Sequence, residues 1–144
     1  MSLSPLAAYA LQAFDAVVAA DIGFRDRPGQ RQMAEQVART FAEAALGKAD
    51  DDAAEPVRSI AVIQAGTGVG KSLAYCVPAI ALALARHTRV LISTATVALQ
   101  EQLVNKDLPA LAAQMPQPFR FALAKGRGRY VCKLKLNRVA GGPA

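Results

Sequence analysis

The feature that most constrains the fold of this 144-residue chain is a glycine-rich stretch at residues 64–72, with the sequence Gln-Ala-Gly-Thr-Gly-Val-Gly-Lys-Ser. A short, largely β-branched run at residues 59–63 precedes it and predicts a buried strand. The long apolar segment from Leu73 to Arg86 follows it and predicts a helix. A turn between strand and helix directs successive backbone N–H groups and the helix N-terminus at one point, which creates an anion site.

The residue types in this loop suit the phosphates of a nucleotide. Its glycines allow unusual φ values and a close approach of the backbone. Lys71 would reach the β- and γ-phosphates, and the Ser72 hydroxyl would ligate Mg²⁺, so these two are the candidate catalytic residues. A tight turn with a chance Lys-Ser pair is disfavoured because strand, loop and helix agree. The predicted nucleotide-binding residues of the loop are Ala65, Gly66, Thr67, Gly68, Val69, Gly70, Lys71 and Ser72.

Composition narrows the class of protein. With 53% hydrophobic residues the chain can bury a core, yet no apolar run reaches the length that a membrane span needs. No signal-peptide pattern is found at the N-terminus. Two cysteines are too few for a disulfide scaffold and fit a reducing compartment. We therefore expect a cytoplasmic protein with no membrane partner.

Periodicity predicts the other elements. Two amphipathic helices come first, one starting at Ser4-Pro5 and one running from Pro28 to a stop at Gly47, with a turn-rich connector at 23–29 between them. The segment from Lys48 to Pro56, with its three consecutive aspartates at 50–52, indicates a solvated loop rather than a metal site. The remaining predicted elements are strands at 90–94 and 119–124 and helices at 97–106 and 108–115. Alternating strands and helices imply a parallel sheet, and therefore an α/β fold.

Positive charge is concentrated at the C-terminal end. The net charge is +6, and residues 116–144 contain seven basic side chains and no acidic one, so the other 115 residues carry a net charge of −1. A basic segment with an interleaved Tyr130 suits a nucleic-acid backbone. A solvated basic tail without a partner is an equally weighted alternative from composition alone.

Four segments together resemble one family. The loop has Ala65 where a first glycine is usual, as in superfamily-two helicases. Residues 27–33, Arg-Pro-Gly-Gln-Arg-Gln-Met, resemble the glutamine motif that reads the adenine ring, and residues 93–103 resemble a motif that touches the DNA backbone. Residues 125–132 resemble the segment that supplies the first cysteine of an iron–sulfur cluster. In order and spacing, the chain from Phe24 to Cys132 resembles the bacterial DinG-type helicases, which are XPD-like iron–sulfur members of superfamily two.

This resemblance implies an ATP-dependent 5′→3′ DNA helicase with a RecA-like P-loop NTPase domain, ATP and Mg²⁺ as cofactors and a [4Fe–4S] cluster in the complete protein. Single-stranded or forked DNA would be the partner. Arg27 and Gln30 join the nucleotide-binding set, with Gln30 preferred over Gln32 for the adenine edge. Cys132 becomes the first cluster ligand, whereas Cys76 is expected in the core. The implied DNA-binding residues are Thr94, Thr96, Gln100, Lys125, Arg127 and Arg129.

For several of these residues, an ordinary structural role remains an open alternative. Without the resemblance, Gln30 is an exposed helix glutamine, Thr96 is a helix cap, and Cys132 is a free cysteine. His87 is expected to have a surface role near a helix end.

The implied domain plan is an N-terminal helix at 1–22, the front of helicase motor domain 1 at 23–124, and the start of an iron–sulfur insertion at 125–144. No Asp-Glu-x-His motif is present in the sequence. We expect an N-terminal portion of a helicase that binds ATP without turning it over. Alternatives are a stand-alone nucleotide- or DNA-binding module and, far less favoured, a small phosphotransferase.

Overall fold

A computed structural model describes residues 2–20, 27–47 and 55–141. Predictions for the connector at 23–26 and for the aspartates at 50–52 lie outside the described residues. The core is built by three long helices that pack on one another: α1 (Pro5–Ala20), α2 (Pro28–Glu43) and α3 (Lys71–Ala85). The first two were predicted from helical periodicity and the third from a long apolar segment, and the presence of all three is confirmed.

Helix α1 begins where the sequence predicted. The Ser4 hydroxyl accepts a hydrogen bond from the Ala7 N–H at 3.3 Å, which satisfies one of the free amides of the first turn. Phe14 and Val17 face the core and are buried. On the outer side, the Asp15 carboxylate and the Arg31 guanidinium form two hydrogen bonds of 3.0 Å, which join α1 to α2.

Helix α3 is the central element, since both α1 and α2 pack against it. Its buried face is nearly continuous and includes Val77, Pro78 and Leu82. It ends at Ala85, and Arg86 is its C-cap. The next residue, His87, adopts a left-handed conformation with φ of 52°, while the Thr88 N–H donates to the Ala83 carbonyl at 2.9 Å. This pattern closes the last turn as in a Schellman motif.

One arginine joins the end of α3 to the end of α2. The Arg86 guanidinium donates hydrogen bonds of 2.8–2.9 Å to the carbonyl oxygens of Phe41, Ala42 and Ala44. These carbonyls lie at the C-terminus of α2, where no further turn of helix satisfies them. Arg86 therefore caps one helix from the end of another.

The C-terminal part of the chain adds shorter helices. Helix α4 (Val97–Gln102) continues through a π-helical turn (Leu103–Asp107) into α5 (Leu108–Gln114), and Leu103 and Leu111 join the same core. A 3₁₀ turn (Arg127–Arg129) and helix α6 (Lys133–Val139) follow, and no residue of these two elements is buried. Among the described residues, no helix is both long and apolar enough to cross a membrane.

The expected parallel sheet is not formed in the described part of the chain. The three predicted strand segments form no regular secondary structure, and the one bridge there is antiparallel, between Ala45 and Val57. Segments 59–65 and 88–94 nevertheless alternate between half-buried and exposed residues, as strands lying on one layer do. Parallel sheets are stable when both faces are covered, whereas Ile60, Val62 and Leu91 are 85%, 95% and 88% exposed. These segments have the burial pattern of strands, but the described residues supply no second layer to cover their other face. This explains why the expected sheet is not formed there.

Candidate nucleotide-binding site

The glycine-rich loop lies between segment 59–63, the predicted first strand, and the first turn of α3. Gly68 and Gly70 have φ values of 81° and 82°, in the left-handed region that glycine tolerates best. Gly70 is the residue immediately before α3, and Lys71 and Ser72 are its first two helical residues. The loop therefore meets the N-terminus of a 15-residue helix, which is the arrangement that binds phosphate in proteins.

Lys71 lies over the loop. Its Nζ donates to the carbonyl oxygens of Ala65 at 3.1 Å and Gly66 at 2.7 Å. The ammonium group thus sits at the start of the loop rather than extending into solvent. A bound phosphate would have to draw the ammonium away from at least one of these carbonyls.

The Ser72 hydroxyl has a neighbour one turn along α3. Burial raises the pKa of Tyr75, and its side-chain hydrogen bond with Ser72 opposes that rise. Of the other predicted loop residues, Thr67 is exposed and Val69 is half-buried. The Ser72 hydroxyl is a suitable Mg²⁺ ligand, and the ion's other ligands would come from nucleotide phosphates and water.

The start of α2 lies along the back of the loop. Gln30 is only 2% exposed, and its Nε2 donates to the Gly70 carbonyl at 2.9 Å. Arg27, the residue before α2, donates from Nη1 to the Gly68 carbonyl at 2.9 Å. The Gln30 Oε1 atom is buried and has no hydrogen-bond partner among the described residues. The alternative prediction, that Gln30 is an exposed helix glutamine, is therefore wrong.

The predicted DNA-binding residues fall into two neighbouring groups. The Thr96 hydroxyl accepts from the Leu99 N–H at 3.3 Å, so it caps α4, and the Thr94 hydroxyl donates to the Thr96 carbonyl at 3.2 Å. The Gln100 Nε2 atom lies 3.5 Å from the Ala124 carbonyl, which brings α4 to the base of the basic segment.

The basic segment itself forms a small turn. The Lys125 N–H donates to the Tyr130 hydroxyl at 2.9 Å, which closes the stretch that carries Arg127 and Arg129. All three basic residues are exposed. The sequence showed Tyr130 only as an aromatic among cations, because nothing in local spacing indicates a hydroxyl that accepts from a backbone amide five residues earlier.

The two cysteines lie in opposite environments. Cys76 is fully buried, and burial raises the pKa of its thiol to about 12, so the prediction of a core cysteine is confirmed. Cys132 is exposed immediately before α6. A [4Fe–4S] cluster is held by four thiolates, and the described residues contain no group of three or more potential ligands. They do not by themselves fit the cluster.

The sequence model of the DEAD/DEAH box helicase family matches residues 48–116, which include the loop and α3. This match implies a RecA-like fold. In its loop and in the helix that follows, this part of the chain is therefore similar to DEAD/DEAH-box helicases.

Individual relatives narrow the class. The chain is 60% identical over 73 residues to the ATP-dependent DNA helicase DinG of Photobacterium profundum, covering 51% of this chain and 10% of the relative. It is 44% identical over 126 residues to the ATP-dependent helicase DinG of Mycobacterium tuberculosis, covering 85% and 17%. For the ATP-dependent DNA helicase DinG of Salmonella choleraesuis, identity is 45% over 117 residues, covering 81% and 15%. These similarities support a DinG-type helicase fragment, and the chain spans 10 to 17% of the length of these relatives.

Proposed function

We propose that the complete protein is an ATP-dependent DNA helicase of 5′→3′ polarity and that this chain supplies its ATP-binding loop. The observation that carries the proposal is the hydrogen bond from Gln30 to the Gly70 carbonyl, which joins the glutamine motif to the phosphate loop. Two segments separated by 40 residues meet at one point, as a site for both ends of a nucleotide requires.

The site's chemistry would be binding and charge stabilisation. The loop amides and the α3 N-terminus would hold the phosphates, Lys71 would neutralise the β- and γ-phosphates, and Ser72 would ligate Mg²⁺. The buried Oε1 of Gln30, which has no hydrogen-bond partner in the described part of the chain, is an acceptor suited to the adenine amino group. Because an acidic motif is missing from the sequence, we expect this chain to bind ATP without hydrolysing it.

The rest of the proposal concerns the complete protein. Segments 59–63, 90–94 and 119–124 would join a parallel sheet there, and the one-sided burial of the first two supports this. Single-stranded or forked DNA would contact Thr94, Thr96, Gln100 and the basic turn, and Cys132 would be one of four cluster ligands, with three supplied from elsewhere in the protein. The proposed boundaries are 1–22 for the N-terminal helix, 23–124 for the front of motor domain 1 and 125–144 for the start of the iron–sulfur insertion.

Replacing Lys71 tests the assignment of the loop. In Lys71→Ala we expect ATP affinity of this chain to fall about tenfold or more, because a charge-assisted contact is lost, and DNA-stimulated hydrolysis by the complete protein to stop. Titration with a fluorescent ATP analogue and a phosphate-release assay measure the two. Arg89→Ala, which removes a charge beyond the other end of α3, should leave both unchanged. Retained turnover in Lys71→Ala would refute the assignment.

A second candidate function is a binding module that acts without turnover. The observation favouring it is the ordered basic turn, closed by Tyr130, in the same chain as the loop. Titrating single-stranded DNA at two salt concentrations tests it, since phosphate contacts weaken steeply with salt. No binding at low salt would reject the module.

A further inference from the structure

Arg27 faces the loop from behind, and its position differs from that of a phosphate ligand. A phosphate would be bound by the backbone N–H groups of the loop, which leaves its carbonyl oxygens free to accept from other donors. The Arg27 guanidinium donates to one of those carbonyls, that of Gly68, at 2.9 Å. It therefore lies on the carbonyl side of the loop.

The residue that Arg27 contacts, Gly68, has a backbone with little conformational restraint of its own. Gly68 has a φ of 81°, and no described atom outside Gly68 and its two chain neighbours lies within 4 Å of the place where its Cβ would be. Glycine has the greatest backbone freedom of all residues, so an isolated loop of this kind would sample many conformations. A hydrogen bond from a fixed donor restricts that freedom.

The donor is fixed by α2. The Arg27 carbonyl accepts hydrogen bonds from the Gln30 and Arg31 amides at 2.8 and 3.2 Å, which anchors its backbone to the first turn. Its side chain makes no capping hydrogen bond to α2 and is directed to the loop instead. The helix itself is held on α3 by buried Ala34 and Ala38.

A second contact prevents this part of the loop from moving separately. Gln30 holds the Gly70 carbonyl, two residues along the loop, and the Arg27 guanidinium also passes 3.5 Å from where a Gly70 Cβ would be. At Gly29, an added Cβ would lie 3.9 Å from the Val69 side chain. The start of α2 thus follows the loop over three consecutive residues, Gly68 to Gly70.

We infer that Arg27 is a positioning residue that holds the phosphate loop in its binding conformation through the Gly68 carbonyl, without contacting the nucleotide. This replaces the expectation from the sequence that Arg27 binds the cofactor directly. The inference rests on the proposed function, because the loop is the proposed ATP site. It also makes a claim about the chain without any ligand, which can be tested independently.

The test is backbone amide hydrogen exchange of the ligand-free 144-residue chain, compared between wild type and Arg27→Ala. We expect exchange in residues 66–72 to become at least about threefold faster, and ATP affinity to fall about fivefold, as for the loss of one hydrogen bond from a charged donor. Exchange in residues 74–82 of α3 is the internal reference and should not change. Arg89→Ala, which removes the same charge far from the loop, should match wild type.

Each outcome bears on the inference. Unchanged ligand-free exchange in 66–72 with weaker ATP binding would mean that Arg27 contacts the nucleotide, and would overturn it. Faster exchange with unchanged affinity would also overturn it, since the loop would then need no positioning. If wild type binds no ATP, the proposed function fails. A difference in the exchange of residues 66–72 between wild type and Arg27→Ala still reports whether Arg27 holds the loop. Should α3 exchange also rise in Arg27→Ala, the same comparison is made with Arg27→Lys, which keeps a donor and should recover part of the protection.

Discussion

Gly70 is the residue at which backbone conformation and packing constrain the site most tightly. Its φ of 82° is strained for any residue with a Cβ, and an added Cβ would meet the Gln30 amide nitrogen and carbon. We expect Gly70→Ala to lower the free energy of unfolding by about 1–3 kcal/mol and to weaken ATP binding, because the loop and Gln30 must both shift. Urea denaturation and ATP titration measure the two effects.

Gly66 provides the matched control. A Cβ there would meet none of the described residues beyond its chain neighbours within 4 Å, and the φ of Gly66 lies outside the left-handed range. Gly66→Ala should therefore change the free energy of unfolding by no more than about 0.5 kcal/mol. Equal losses in the two variants would show that the close approach of Gln30 to Gly70 does not stabilise the loop.

The two thiols should differ in reactivity. Because burial raises the pKa of Cys76 to about 12, its thiol stays protonated at pH 8.5, whereas Cys132 is exposed. Only the thiolate reacts with Ellman's reagent, so we expect one fast equivalent per folded chain and two after denaturation. Cys132→Ser should remove the fast equivalent. Two fast equivalents in folded wild type would contradict the burial of Cys76.

At the scale of single residues, the sequence predicted which residues form the loop better than it predicted which residues contact one another. The spacing of the glycines, Lys71 and Ser72 was sufficient to predict the loop. The burial of Gln30 was not predictable from local pattern, because it depends on α2 packing against α3 across 40 residues of chain. The same holds for Arg27, whose contact is on the carbonyl side of the loop.

At the scale of elements, Arg86 shows how one helix end stabilises another. Its guanidinium satisfies three carbonyls at the C-terminus of α2, with the favourable sign for a helix dipole. We expect Arg86→Ala to cost about 1–3 kcal/mol in the free energy of unfolding, measured by urea denaturation. Because the α2 carbonyls lose their donors, exchange of the last α2 amides should also become faster.

Two other variants separate geometry from charge. Arg86→Lys retains the positive charge but has no planar fork, so we expect it to recover only part of the loss. Arg89→Ala removes a nearby charge without touching α2 and should have little effect. If it destabilises as much as Arg86→Ala, net charge and not capping is responsible.

Element prediction succeeded where a single helix carries its own signal. Ser4 and Pro5 indicated the start of α1, and Pro28 that of α2, because caps and φ restrictions act locally. The stop of α2 was predicted at Gly47, but the helix ends at Glu43, where Arg86 supplies its cap. Segments 59–65 and 88–94 have the two-residue period of strands, yet pairing depends on partners that this period alone does not provide.

At the scale of the whole molecule, the two sides of the predicted strand segments differ in how far they are exposed to solvent. The helices cover one side of these segments, and the other side exposes Ile60, Val62 and Leu91. Unpaired strand backbone beside exposed apolar side chains is a template for association. The chain also spans only a small share of the length of its relatives, so in them additional chain is available to cover this surface.

We therefore expect this chain alone to self-associate. Sedimentation velocity should show a weight-average mass that rises with concentration, and the thermal transition should depend on concentration in the same way. Val62→Lys should reduce the association, because a charge at a 95% exposed position opposes burial of this surface. Val139→Lys, on the exposed helix α6 and 88% exposed, adds the same charge elsewhere. A monomer at all concentrations would refute the expectation, and equal effects of both substitutions would assign the association to net charge instead of this surface.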